Sequence, residues 1–75
     1  MPRFFFNVFD GRSLLDTDGV ELPDDTLARE EALRIAGGAI AREAARIAAN
    51  LVWNMEALDE TGRCVYRINL SITTG

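Results

Sequence analysis

Residues Arg3 to Phe9 read RFFFNVF, a run of aromatic and β-branched side chains one strand long. Alternation along a strand sends Phe4, Phe6 and Val8 to one side and Phe5, Asn7 and Phe9 to the other, so both faces are largely apolar. A strand of this kind, with no edge-protecting residue, belongs inside a sheet with neighbours on both sides. The rest of the 75-residue chain has to supply those neighbours and a cover for at least one face.

Asp10-Gly11 follows at once and reads as a type I′ hairpin turn, in which both central residues take positive φ. Arg12 to Leu15 then returns as a second strand. Asp16-Thr17-Asp18-Gly19 is a further turn, with glycine at the left-handed position, and Val20 to Leu22 is a short extended piece. Pro23 holds Leu22 out of helical geometry. At the other end, Leu51 to Leu58 alternates, with Trp53, Met55 and Ala57 on one face and Asn54 and Glu56 on the other. Asp59 to Gly62 repeats the Asp-x-x-Gly turn form. Arg63 to Thr73 places Cys64, Tyr66, Ile68, Leu70 and Ile72 on one face, and Arg63, Val65, Arg67, Asn69 and Ser71 on the other.

Between these strand pairs, Asp25 to Asn50 is rich in alanine and arginine and has strong helical propensity. Asp24 or Asp25 is placed to cap it, and Glu30 and Glu31 add negative charge toward its positive end. Leu33, Ala36, Ile40, Ala44, Ile47 and Leu51 form the expected packing seam. Ala28, Ala32, Ile35 and Ala39 form a flanking stripe. Gly37-Gly38, among the small residues Ala36, Ala41, Ala44 and Ala48, marks an expected close approach to the protein's own sheet. Helix-to-helix contact with a partner, or a simple kink, are the other readings.

The order ββαββ gives an α+β class: one domain over residues 1–75, in two layers. Its sheet is four-stranded and mainly antiparallel, with one long helix packed on one face. A chain this short has a small core and a thin stability margin. Cys64 is the only cysteine, so no disulfide forms within the chain, and the absence of histidine removes the commonest metal ligand. Self-association or unusually good packing is left to supply stability. The apolar runs are too short to span a membrane or serve as a secretory signal, and a lone thiol suits a reducing cytoplasm.

Chemistry finds little footing here. Cys64 has no histidine to activate it and falls at an inward pattern position, which reads as a buried structural residue. Ser13 and Ser71 lack a nucleophile-elbow context, and no phosphate-cradling glycine loop is present. On a calcium-loop template Asp16, Asp18, Gly19 and Asp25 fall in register, but Leu14 stands where the first carboxylate is needed. The expectation is no enzymatic activity and no cofactor or metal. The net charge of −4 disfavours general nucleic-acid binding. A mixed aromatic-basic face of Phe5, Phe9, Arg63 and Arg67 is the one arrangement that would stack single-stranded bases.

The same face supports a simpler expectation. With the helix on the other side, Phe5, Asn7 and Phe9 are left outward, bordered by Asn54, Glu56, Arg67 and Asn69. An apolar patch with a polar rim marks a protein contact. Phe5, Asn7, Phe9, Arg67 and Asn69 are therefore the candidate contact face, for a second copy in a homodimer or for another protein.

Three segments also carry a resemblance: MPRFFFNVFDG (Met1 to Gly11), DTDGVELPDDTLAREEALRIA (Asp16 to Ala36), and the strand and turn around Trp53 and DETGR (Asp59 to Arg63). Together they resemble a family of short uncharacterised alphaproteobacterial proteins, a domain of unknown function. That resemblance implies a compact bacterial domain and no catalytic residue. The Asp25 to Leu33 segment is also similar to small antitoxins of HicB type, which implies the alternative role: a regulatory protein binding a partner protein or RNA.

Overall fold

The computed structural model describes residues 2–11, 13–42 and 51–73. Among these residues five strands and one helix follow one another as β1 (Arg3–Phe9), β2 (Ser13–Leu14), β3 (Val20–Glu21), α1 (Asp25–Arg42), β4 (Leu51–Leu58) and β5 (Cys64–Ile72). The class is α+β, with the helix against one face of an open antiparallel sheet. The strand count is five where four were expected, because Val20–Glu21 also pairs with β1.

Strand β1 is internal, as its two apolar faces require. It pairs with β4 on one side, with Phe6 opposite Ala57 and Val8 opposite Met55. On its other side β2 and β3 take successive stretches of the same margin, at Val8–Phe9 and at Arg3–Phe4. Strand β5 pairs with β4, so the order is β2-β1-β4-β5.

The first turn differs from the expected type. Phe9 pairs with Ser13, so three residues bridge the strands, and no non-glycine residue among those described has positive φ. The longer loop sets Leu14 opposite Val8. A two-residue loop would have put it opposite Asn7, on the wrong face.

Helix α1 opens on Asp24, whose carboxylate accepts the Leu27 N–H at 3.0 Å, a cap on the first turn. Its buried residues are Ala28, Ala32 and Ala36, with Ile35 and Ala39 packed beside them. The stripe expected to flank the contact thus supplies most of it, joined by Ala36 of the expected seam, while Leu33, also expected in the seam, is 54% exposed. The reason is volume. Phe4, Phe6, Trp53 and Met55 fill the interface from the sheet side, and methyl groups opposite them let the helix come close. Phe4 and Met55 are fully buried, each contributing about 1.5–3 kcal/mol. The helix runs through Gly37-Gly38 without interruption. A methyl group added at Gly37 would meet nothing within 4 Å, so the expected close approach of backbone is absent there. The expected continuation to Asn50, with Ala44, Ile47 and Ala48, and the side chain of Leu51, lie outside the described residues. Among the described residues no helix is long and apolar enough to cross a membrane.

The alternation of β5 holds from Tyr66 to Ile72 and breaks before it. Ala57 pairs with Tyr66 while Leu58 pairs with Cys64, so Val65 is an extra residue at a bulge. The insertion turns Val65 into the core and leaves Cys64 exposed, reversing both expectations for these two residues.

Candidate protein-contact face

The helix-free face is built of cross-strand rows. Phe5, Leu58 and Cys64 make the first, Asn7, Glu56 and Arg67 the second, and Phe9, Asn54 and Asn69 the third, with Val52 beside Ser71 beyond them. The five residues picked from alternation therefore share one face. Their exposures differ: Phe5 and Phe9 are half-buried, Arg67 and Asn69 are exposed, and Asn7 is only 8% exposed.

The loop between β2 and β3 explains the first row. Asp16 folds back over the gap these short strands leave along β1. Its Oδ2 accepts the Phe6 N–H at 3.1 Å, and its Oδ1 accepts the N–H groups of Asp18 at 3.1 Å and Gly19 at 3.0 Å. Gly19 has φ +74, and a Cβ there would lie 2.8 Å from both Arg3 Cγ and Phe5 Cε1. Only glycine fits, and the loop thereby lies against the ring of Phe5. Arg3 fastens it further, donating to the Asp18 carbonyl at 2.8 Å and to Glu21 at 3.1 Å.

Partial burial alone would raise the pKa of Asp16. The N–H donors of Gly19, Phe6 and Asp18, with the charge of Arg3, outweigh it and hold the carboxyl below its usual 3.8. The carboxylate of the supposed calcium-loop residue is thus already engaged by backbone donors.

The second row is a continuous polar chain. Asn7 Oδ1 accepts the Asp16 N–H at 2.9 Å, and Asn7 Nδ2 donates to Glu56 Oε2 at 3.1 Å. Arg67 Nη2 donates to the other Glu56 oxygen at 3.5 Å. The backbone donor at Asp16 fixes which way the Asn7 amide points, so both ends of this buried group are satisfied. Asn7 thus sets the face in order from beneath, and Glu56 and Arg67 present its polar surface.

The third row borders a depression of about 220 Å³ lined by Phe9, Asn54, Met55, Glu56, Arg67 and Asn69. Val52 extends the apolar end of this row and is 63% exposed. Arg63, expected beside Arg67, is elsewhere. It donates to Asp59 at 3.0 Å and to Asp25, at the start of α1, at 3.1 Å. The Asp59 hydrogen bond first, and Asp25 next, raise the pKa of its guanidinium. The bulge that displaced Val65 separates the two arginines, and with Phe5 under the loop the aromatic-basic face, the disfavoured alternative from the sequence, is not assembled.

Sequence reasoning placed Asn54 and Glu56 on the rim but missed Asp16 as a long-range acceptor. Its Asp-x-Asp-Gly turn was legible; its bond to Phe6, ten residues back, had no local signal.

No curated protein and no solved structure matches the chain. A family model does match, over residues 3–71, nearly the whole length. The chain belongs to the family described as Domain of unknown function (DUF6894).

Proposed function

We propose that this domain is a protein-interaction module of the bacterial cytoplasm, without a catalytic step of its own, that binds a partner protein through its helix-free sheet face. The observation that carries this reading is the polar chain from Asp16 through Asn7 and Glu56 to Arg67, lying beside the Phe9 depression. Side chains already held by hydrogen bonds lose little entropy when a partner arrives. The depression takes an apolar anchor at Phe9, and the amides of Asn54 and Asn69 on its rim suit a polypeptide's main-chain groups.

The test is a tagged capture from native cells at low salt, comparing the parent with Phe9→Ser and with Leu33→Ser on the exposed side of the helix. A stoichiometric partner held by the parent and by Leu33→Ser, and lost with Phe9→Ser, supports the reading. Equal capture by all three, or capture of nothing but the protein itself, defeats it.

A further inference from the structure

The two margins of the sheet are treated differently. Along β1, the margin is filled by β2, by β3, and between them by Asp16, which takes the Phe6 N–H. At the opposite margin β5 pairs with β4 on one side, and among the described residues nothing pairs with its other side. An exposed strand edge is normally blunted by charge, proline or a bulge. Strand β5 has no proline, and its bulge lies at its beginning, leaving the run from Tyr66 to Ile72 regular. Arg67 is its only charge, and Glu56 on the inner neighbour draws that side chain away from the edge.

We infer that β5 is the seam of a homodimer in which two copies pair antiparallel, edge to edge, about a two-fold axis at Asn69. The self-complementarity of the run points to a second copy as the occupant. A two-fold antiparallel pairing matches residues of the same face. Centred on Asn69, it sets Ile68 against the second copy's Leu70 and Tyr66 against its Ile72, all on the helix side, where these side chains are only half-buried. On the other face Arg67 meets Ser71 and Asn69 meets its own counterpart. A centre at Arg67 would oppose two cations and is disfavoured. Helix α1 packs over β4 and β5. Edge pairing about that axis therefore brings the two helices to the same side of the joined sheet, flanking the seam. The seam joins two helix-free faces side by side. It shares Arg67 and Asn69 with the rim of the Phe9 depression but is made by the β5 backbone edge and the helix-side chains of Tyr66, Ile68, Leu70 and Ile72, so it stands whether or not that face binds a partner.

The experiment is the solution mass of the full chain by light scattering, combined with disulfide trapping. The parent is expected at twice the 8.3 kDa of one chain. In a Cys64→Ser background, Asn69→Cys is expected to give an oxidised covalent dimer, and Asn54→Cys, one strand inward, is not. Ser71→Arg sets a cation against Arg67 of the second copy and is expected to weaken the dimer roughly tenfold. Ser71→Glu at the same exposed position is not expected to weaken it. A monomeric parent at high concentration overturns the inference. So does a dimer that Phe9→Ser dissociates and Asn69→Cys fails to trap, which would place self-association on the face. Loss of partner capture with an intact dimer mass concerns the face alone.

Discussion

Replacing Asp16 by asparagine preserves its shape and removes one acceptor. Both carboxylate oxygens are in use: Oδ2 takes the Phe6 N–H, and Oδ1 takes those of Asp18 and Gly19. An amide in either orientation points its NH₂ at a backbone N–H. One donor that has lost its acceptor costs about 1–3 kcal/mol. Asp16 is only partly buried and water reaches it, so the lower part of that range applies, about 1–2 kcal/mol. A domain of this size has roughly 4–11 kcal/mol in total, so the loss is measurable. Urea unfolding followed by the fluorescence of Trp53, the single tryptophan and a buried one, is the assay. The pH dependence adds a second check. The folded pKa of Asp16 lies below its usual 3.8, so its contribution is fully present above that value and is lost as pH falls through the folded pKa. Asparagine does not titrate, so the gap between parent and Asp16→Asn is full at neutral pH and narrows below about pH 4. A variant within about 0.5 kcal/mol of the parent at neutral pH would show that the loop does not depend on the second carboxylate oxygen.

Gly19→Ala combines a positive φ with a Cβ 2.8 Å from Arg3 and Phe5, and is expected to cost about 2–4 kcal/mol in the same urea titration. Gly37→Ala should do the opposite, adding about 0.5–1 kcal/mol, since the site is helical and open; calorimetry should find Tm raised by a few degrees. Met55→Ala empties the centre of the core and is expected to lose about 2–5 kcal/mol, shown by a lower urea midpoint with unchanged slope. Cys64, exposed by the bulge, should react fully with a thiol reagent in the absence of denaturant, whereas a thiol in the core would need unfolding first.

The fold was legible wherever one local rule decided the outcome. RFFFNVF specified an internal strand because both of its faces are apolar, and β1 and β4 have the boundaries that alternation implied. The face shared by Phe5, Asn7, Phe9, Arg67 and Asn69 followed from the same period. The errors arose where two adequate patterns competed or a residue was inserted. Helix α1 offers two apolar stripes, and the bulk of Phe4 and Met55 across the interface selected the alanine one, which a helical wheel alone cannot decide. Arg63 to Thr73 looked like uninterrupted alternation. The bulge at Val65 depends on the register against Leu58 and has no signature in β5 itself. The site was legible as a set of positions and not as a network. Asn7 and Glu56 were assigned to one face, but the role of Asn7 as a buried bridge depends on Asp16 arriving from a loop.

That loop connects the two ends of the sheet's behaviour. Two-residue strands alone leave a gap along β1 at Phe6, and an unfilled gap would be a second open margin. Asp16 closes it with its carboxylate. The same residue's backbone N–H then orients Asn7, which holds Glu56, which draws Arg67 inward from β5. One hydrogen-bonded row therefore seals the first margin and ties the second's only charge to an inner-strand carboxylate. The row crosses the sheet through β1 and β4, where every polar atom has a partner, so the asymmetry between the margins is a property of side-chain placement, not of strand length alone. On this account the structure that closes the edge of β1 also leaves the edge of β5, with which nothing pairs among the described residues, free of an outward-held charge.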